Sequence, residues 1–184
     1  MENLIAEAKQ RMKRAVEKLE HELATIRTGR ASPAILDRVK VQFYGSEMPI
    51  NQLATISVPE GRMIVITPWD KNALRAIEKA ILTSDLNLTP SSDGNVIRLE
   101  VPPLTEERRK ELAKLVHQKA EEGRVAVRNI RRDINNAIEK KEKAEDVSED
   151  DVEYAKKEVQ EATNEFIKEI DRIAARKVAE VMEV

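Results

Sequence analysis

A chain of 184 residues and 20.9 kDa can build one substantial hydrophobic core or two modest ones. Charged residues make up 36% of it and aromatic residues only 3%, which favours long amphipathic helices over a large aromatic-lined pocket. There is no cysteine, so disulfides, thiolate nucleophiles and cysteine-ligated metals are excluded. The formal net charge of −2 conceals a division: residues 105–143 carry twelve basic and eight acidic side chains, residues 144–184 six basic and thirteen acidic. A chain polarised in this way is compatible with a nucleic-acid partner despite its acidic total.

The N-terminal run Met1-Glu2-Asn3-Leu4-Ile5 lacks a basic region followed by an apolar stretch, and nowhere do about 18 apolar residues follow one another. No membrane association is expected, and the expected location is the cytoplasm.

From Glu2 to Arg27 the apolar positions Ile5, Ala8, Met12, Ala15, Leu19, Leu23 and Ile26 recur in steps of three and four. That spacing predicts a helix with a long seam, ended by Gly29. Between Asp37 and Val101 the pattern shifts to short β-rich runs at Val39–Phe43, Ile56–Val58, Met63–Ile66 and Val96–Val101. Turn signals at Tyr44-Gly45-Ser46, Pro59-Glu60-Gly61 and Asp93-Gly94 separate them. One helix interrupts the strands from about Asn72 to Thr83, capped by Asp70 and burying Ala73, Ile77, Ala80 and Ile81.

Pro102-Pro103 halts the last strand, and Thr105 with Glu106 and Glu107 reads as the start of a second long helix running to about Lys143. At 1.5 Å per residue such a helix is about 58 Å long. An acidic break around Glu145-Asp146-Val147 leads to Ser148, with Asp151 three residues on, and a third helix follows. Its seam is Val152, Ala155, Val159, Ala162, Phe166, Ile170 and Ile173. Three seamed helices bury their stripes most simply against one another, which predicts a monomer. The expected fold class is α+β: an elongated three-helix bundle from residues 1–30 and 104–184, with a small β/α/β domain inserted over residues 31–103. Both crossings, Thr28-Gly29-Arg30-Ala31-Ser32-Pro33 and Val101-Pro102-Pro103-Leu104, are short and rich in Gly or Pro. They read equally as a hinge or as the plain ends of their neighbouring elements.

Within the second long helix, Arg124, Arg128 and Arg131 fall in a sector of roughly 60°, with Arg132 at its edge. His117, Lys114 and Lys110 extend that sector towards the N-terminus, and Leu112, Leu115, Val116, Val127, Ile130, Ile134 and Ile138 cluster on the other side. Such a stripe is commonly just a solvated helix face. The scarcity of acid within it, Glu121 inside the sector and Asp133 just outside, favours an anion contact.

Catalytic chemistry is missing. His21 and His117 lie on different helices with no second histidine at a ligand spacing, so no metal site is expected. Glu106-Glu107, Glu121-Glu122 and Glu149-Asp150-Asp151 stand in acidic helix turns, where the helix dipole and solubility explain them. No Gly-x-Ser-x-Gly elbow occurs, and the five glycines form no phosphate-cradling loop. These absences point to a protein that is not an enzyme and needs no cofactor or small-molecule substrate. Trp69, Phe43, Tyr44, Tyr154 and Phe166 are too scattered to stack bases, so core packing is expected of them and any RNA would be held through phosphates and shape.

Three strings are recognisable together: Ile26-Arg27-Thr28-Gly29-Arg30-Ala31-Ser32-Pro33, Pro102-Pro103-Leu104-Thr105-Glu106-Glu107-Arg108-Arg109-Lys110, and Arg124-Val125-Ala126-Val127-Arg128-Asn129-Ile130-Arg131-Arg132-Asp133. With Tyr44-Gly45 and Ser84-Asp85-Leu86, they make the chain resemble the bacterial ribosome recycling factor family from end to end. The resemblance implies a three-helix bundle with an inserted β/α/β domain, in outline like a transfer RNA. It also implies binding to the large ribosomal subunit after termination and subunit splitting with elongation factor G and GTP. Carried over by position, the rRNA contacts it implies fall on Arg27, Arg30, Arg124, Arg128, Arg131 and Arg132, and the basic sector adds Lys110. The alternative is a helical scaffold or adaptor without RNA binding, whose seams would pair with partner helices. The β-rich insert, which a simple scaffold does not need, speaks against it.

Overall fold

A computed structural model describes residues 1–144 and 147–183, so the expected acidic break at Glu145 and Asp146 lies outside the described residues. The chain divides into two units, Met1–Ile26 with Glu106–Glu183, and Arg27–Thr105.

The first unit consists of three helices: α1 (Glu2–Ala24), α3 (Glu106–Ala144) and α4 (Glu149–Met182), with α2 (Lys71–Leu82) in the second unit. α1 buries Ile5, Ala8, Met12, Val16, Leu19 and Leu23, and α3 buries Leu112, Val116, Ala120, Val127, Ile130, Ile134 and Ile138. α4 contributes Val152, Ala155, Val159, Ala162, Thr163, Ile170, Ala174 and Val181. Burial of each large aliphatic side chain is worth about 1.5–3 kcal/mol, so these seams supply most of the stability of helices whose other faces are charged. In α3 the seam steps over Gly123, between Ala120 and Val127. A methyl group placed there would lie 3.5 Å from both Leu19 Cδ2 and Ile170 Cδ1, so side chains of α1 and α4 approach the α3 backbone at that point. The one buried polar side chain among the described residues, Thr163, donates its hydroxyl to the Val159 carbonyl at 2.8 Å, which removes the cost of burying it.

Several expected positions shift. α1 ends at Ala24, well before Gly29, because the Thr25 hydroxyl donates to the Glu22 carbonyl at 2.7 Å and Ile26 N bonds back to Leu23 O at 3.1 Å, tightening the final turn. Val16 is buried where Ala15 was expected; both fit a three-four spacing, and the larger side chain takes the interior. Leu115, Phe166 and Ile173 are half-buried, at the margin of the seams. Ser148 caps α4 as expected, its Oγ accepting from Asp151 N at 3.1 Å.

The second unit contains an antiparallel sheet in the order β3 (Ala54–Glu60), β4 (Met63–Pro68), β6 (Ile97–Glu100), β5 (Pro90–Ser92), with a separate hairpin of β1 (Lys40–Phe43) and β2 (Ser46–Pro49). Helix α2 (Lys71–Leu82) begins at Asp70, whose Oδ1 accepts from Asn72 N at 2.9 Å. Burial alternates along β6, with Ile97 and Leu99 inside, and along β4, with Ile64 and Ile66 inside. These four pack with Val41, Ile50, Ala73, Leu74, Ile77 and Ile81 into the unit's core. The β1–β2 turn places Tyr44 at φ 51 and Gly45 at φ 77, the paired positive values of a type I′ two-residue hairpin loop.

β2 and β5 were not visible in the sequence. Ser46-Glu47-Met48-Pro49 and Pro90-Ser91-Ser92 have little intrinsic β preference and exist as strands because β1 and β6 offer them ladders, Pro90 standing on the sheet edge where a missing N–H is tolerated. A short 3-10 helix at Pro33–Arg38, with Ser32 Oγ accepting from Ala34 N at 3.3 Å, also carried no periodic signal.

Candidate nucleic-acid interface

Two hydrogen bonds fix the crossing segments to the same turn of the second unit. Ala31 N donates to Gly61 O at 2.6 Å and Val101 N donates to Arg62 O at 2.8 Å, on either side of the β3–β4 turn. The crossings are also joined to each other, because Arg27 Nη2 donates to the Pro102 carbonyl at 2.8 Å. Of the expected hinge residues, Ala31 and Val101 are therefore held to the β3–β4 turn, and Ser32 caps the 3-10 helix that follows it. All nine expected hinge residues lie in neither helix nor strand. Residues 27–30, expected with the bundle, group with the second unit.

The basic face of α3 is not uniform. Arg124 and Arg131, at the edge of the sector nearest α4, are half-buried, whereas Arg128 and Arg132 are exposed. Arg124 Nε donates to Asp171 Oδ1 of α4 at 2.7 Å and its Nη1 to Glu121 Oε2 at 3.0 Å. Burial alone would lower the guanidinium's pKa; the hydrogen bonds to Asp171 and Glu121 outweigh it, and the net shift is upward. Arg131 Nη1 donates to Gln160 Oε1 at 3.4 Å. Arg128 Nη1 stands 3.6 Å from Glu121 Oε1, and Lys110 Nζ stands 3.4 Å from Glu106 Oε1, both at the solvent surface. Arg132 has no side-chain partner among the described residues, because the adjacent carboxylate, Asp133, is turned to Arg11 of α1 at 3.0 Å.

The row of arginines expected from the helical wheel is thus present on one side of α3, and tertiary packing divides it. Arg128 and Arg132 project guanidinium groups into solvent, with Val125 exposed one turn before Arg128 and Lys110 and Lys114 exposed further along. Arg124 is engaged by carboxylates, one of them from the acidic α4. Sequence reasoning missed Asp171 and Gln160 as partners; they lie 47 and 29 positions away from Arg124 and Arg131, and no local pattern couples them. On another side of the bundle, Glu158, Glu161, Glu165 and Glu169 line a groove with Lys9, an acidic surface that repels phosphate. The expectation that the aromatics serve the core fails for three of them: Tyr44, Trp69 and Tyr154 are 79%, 67% and 57% exposed. Trp69 is held at the surface by its indole N–H, which donates to Thr55 Oγ1 at 2.9 Å.

No group of three or more potential metal ligands occurs among the described residues, and no described helix is long and apolar enough to cross a membrane. Fold and face together define a two-unit α+β protein whose long-helix bundle displays arginines along one helix.

A family model described as "Ribosome recycling factor" matches residues 19–182. The chain is 53% identical over 184 residues to the ribosome-recycling factor of Carboxydothermus hydrogenoformans, with all of both chains covered, and 51% identical over 181 residues to that of Bacillus subtilis, covering 98% of each. The chain belongs to the ribosome recycling factor family. Among solved structures it is similar to a solution structure of the ribosome recycling factor, with a TM-score of 0.78 and 49% identity over 100% of this chain and 97% of that one. It is also similar, with a TM-score of 0.65 and 48% identity over 99% and 98% of the two chains, to the T. thermophilus factor in models of that factor and E. coli elongation factor G bound to the E. coli post-termination complex.

Proposed function

We propose that this chain is a cytoplasmic, non-enzymatic translation factor that binds the large ribosomal subunit of post-termination complexes through rRNA phosphates and, with elongation factor G and GTP, promotes subunit splitting. Family membership supports the process, and the similarity to a factor placed with elongation factor G on a post-termination complex supports the partners. The observation that carries the phosphate reading is the exposure of Arg128 and Arg132 on one face of α3, where planar guanidinium forks can each meet a phosphate. Arg131, Lys110, Arg27 and Arg30 add to that grip, Arg27 through the donors left after its bond to Pro102 O. Arg124 serves chiefly to hold α3 on α4. Splitting draws on bending at Thr28–Arg30 and Pro102–Leu104, which adjoin the backbone bonds of Ala31 and Val101 to the β3–β4 turn.

The test is cosedimentation with purified large subunits across a salt series. Arg128→Ala with Arg132→Ala is expected to weaken binding and to flatten the slope of log affinity against log salt by about 0.7–0.9 per lost phosphate contact. Unchanged affinity and slope would reject the phosphate reading. A subunit-splitting assay with and without elongation factor G and GTP tests the process itself, and no factor-dependent splitting by the wild-type chain would reject it.

A further inference from the structure

We infer that Glu121 is a selectivity residue of the α3 basic face: it positions Arg124 and Arg128 and competes with phosphate for Arg128. The inference rests on the phosphate reading above and concerns which RNA the face accepts. Glu121 is the single carboxylate inside the arginine sector, and its two oxygens are divided between two arginines. Oε2 accepts from Arg124 Nη1 at 3.0 Å, and Oε1 stands 3.6 Å from Arg128 Nη1.

The two contacts differ in strength. Arg124 has a second carboxylate, Asp171 at 2.7 Å, and its side chain is only 22% exposed, so its charge is compensated and its place is set by packing. Arg128 has Glu121 alone, at a longer distance, and its side chain is 44% exposed, within easy reach of solvent and of an incoming anion. Asp133 does not enter this competition, since Arg11 occupies it. A phosphate at Arg128 therefore displaces Glu121 and gains only the difference between two anions. A single flexible strand that reaches Arg128 gains little. A rigid array of phosphates that meets Arg128, Arg131 and Arg132 together offsets the displacement with contacts at arginines that face no carboxylate, Arg131 having only the neutral Gln160 at 3.4 Å. Glu121 thus biases the face towards folded RNA of matching spacing and against loose polyanions.

The experiment compares binding of the full chain to polyuridylate and to large ribosomal subunits, over a salt series, for wild type, Glu121→Gln, Arg128→Ala and the double variant. Glu122→Gln is the control of equal charge change, because Glu122 pairs with Lys119 at 3.7 Å and touches neither arginine. Glu121→Gln is expected to raise polyuridylate affinity by up to about fivefold, the upper range for an exposed ion pair. It should also steepen the salt slope by about 0.7, the value for one more phosphate contact on a single strand. The rise on large subunits should be smaller, and the polyuridylate gain should vanish in the Arg128→Ala background. An equal gain from Glu122→Gln, or a gain that persists without Arg128, would reduce the effect to net charge and overturn the assignment. Wild-type binding to large subunits without salt dependence would instead overturn the phosphate reading on which it stands.

Discussion

Arg124 of α3 and Asp171 of α4 are joined by a hydrogen bond of 2.7 Å from Nε to Oδ1, a contact between residues 47 positions apart. It belongs to a set of charged pairs between helices of the bundle, with Lys156 to Glu139 at 3.0 Å and Arg11 to Asp133 at 3.0 Å. Asp171 is 54% exposed, so solvent screens the pair. A double-mutant cycle of Arg124→Ala and Asp171→Ala in urea denaturation is expected to give a coupling of about 0.5–1 kcal/mol. A coupling indistinguishable from zero would remove Arg124 from the role of joining the helices.

Gly123 occupies a seam position where an added methyl would sit at ordinary van der Waals distance, 3.5 Å, from Leu19 and Ile170. Glycine inside a helix costs about 0.5–1 kcal/mol relative to alanine. Gly123→Ala is therefore expected to stabilise the chain by about that amount, which for a chain of this size raises Tm by about 1–4 °C. A lower Tm would show that the three helices approach more closely there than the 3.5 Å spacing indicates.

Ser148 closes the N-terminus of α4 through its Oγ, which accepts from Asp151 N at 3.1 Å. Its replacement by alanine is expected to cost about 1 kcal/mol, and Ser148→Asp to retain most of the stability, since aspartate caps through the same geometry and suits the helix dipole. Equal unfolding midpoints for the alanine variant and the wild type would contradict the cap.

Asp93, in the turn between β5 and β6, accepts hydrogen bonds from the backbone N–H groups of Asn95 and Val96 and from Arg98, and these hold its carboxyl at a pKa of about 2, below the ordinary 3.8. A depressed folded-state pKa contributes stability that is fully present above 3.8 and lost as pH falls through about 2. Carboxyl NMR should show Asp93 titrating near 2, and Asp93→Asn should remove its share of the stability loss between pH 4 and 2. A midpoint near 3.8 would mean that the turn's hydrogen bonds do not persist in solution.

The long helices were legible in the sequence because their signals are local. A three-four apolar spacing extends over many turns in each of them, and the Ser148 and Asp70 caps lie within three residues of the N–H groups they satisfy. The same periodicity placed Arg124, Arg128, Arg131 and Arg132 on one side of α3, since helical geometry alone sets their angular order. What periodicity could not separate was Ala15 from Val16, or the end of α1 at Ala24 from a glycine five residues on.

Tertiary structure decided the rest, wherever a partner distant in the chain sets the outcome. β2 and β5 are strands because β1 and β6 supply their hydrogen bonds, and Ala31 and Val101 are held by the turn at Gly61 and Arg62. Four arginines with the same local pattern take different roles for the same reason: Asp171 engages Arg124, Gln160 meets Arg131, and Arg11 draws Asp133 away from Arg132. Residue spacing along one helix determines which way a guanidinium points. Only the packing of neighbouring helices determines whether its charge is already matched or left for a phosphate.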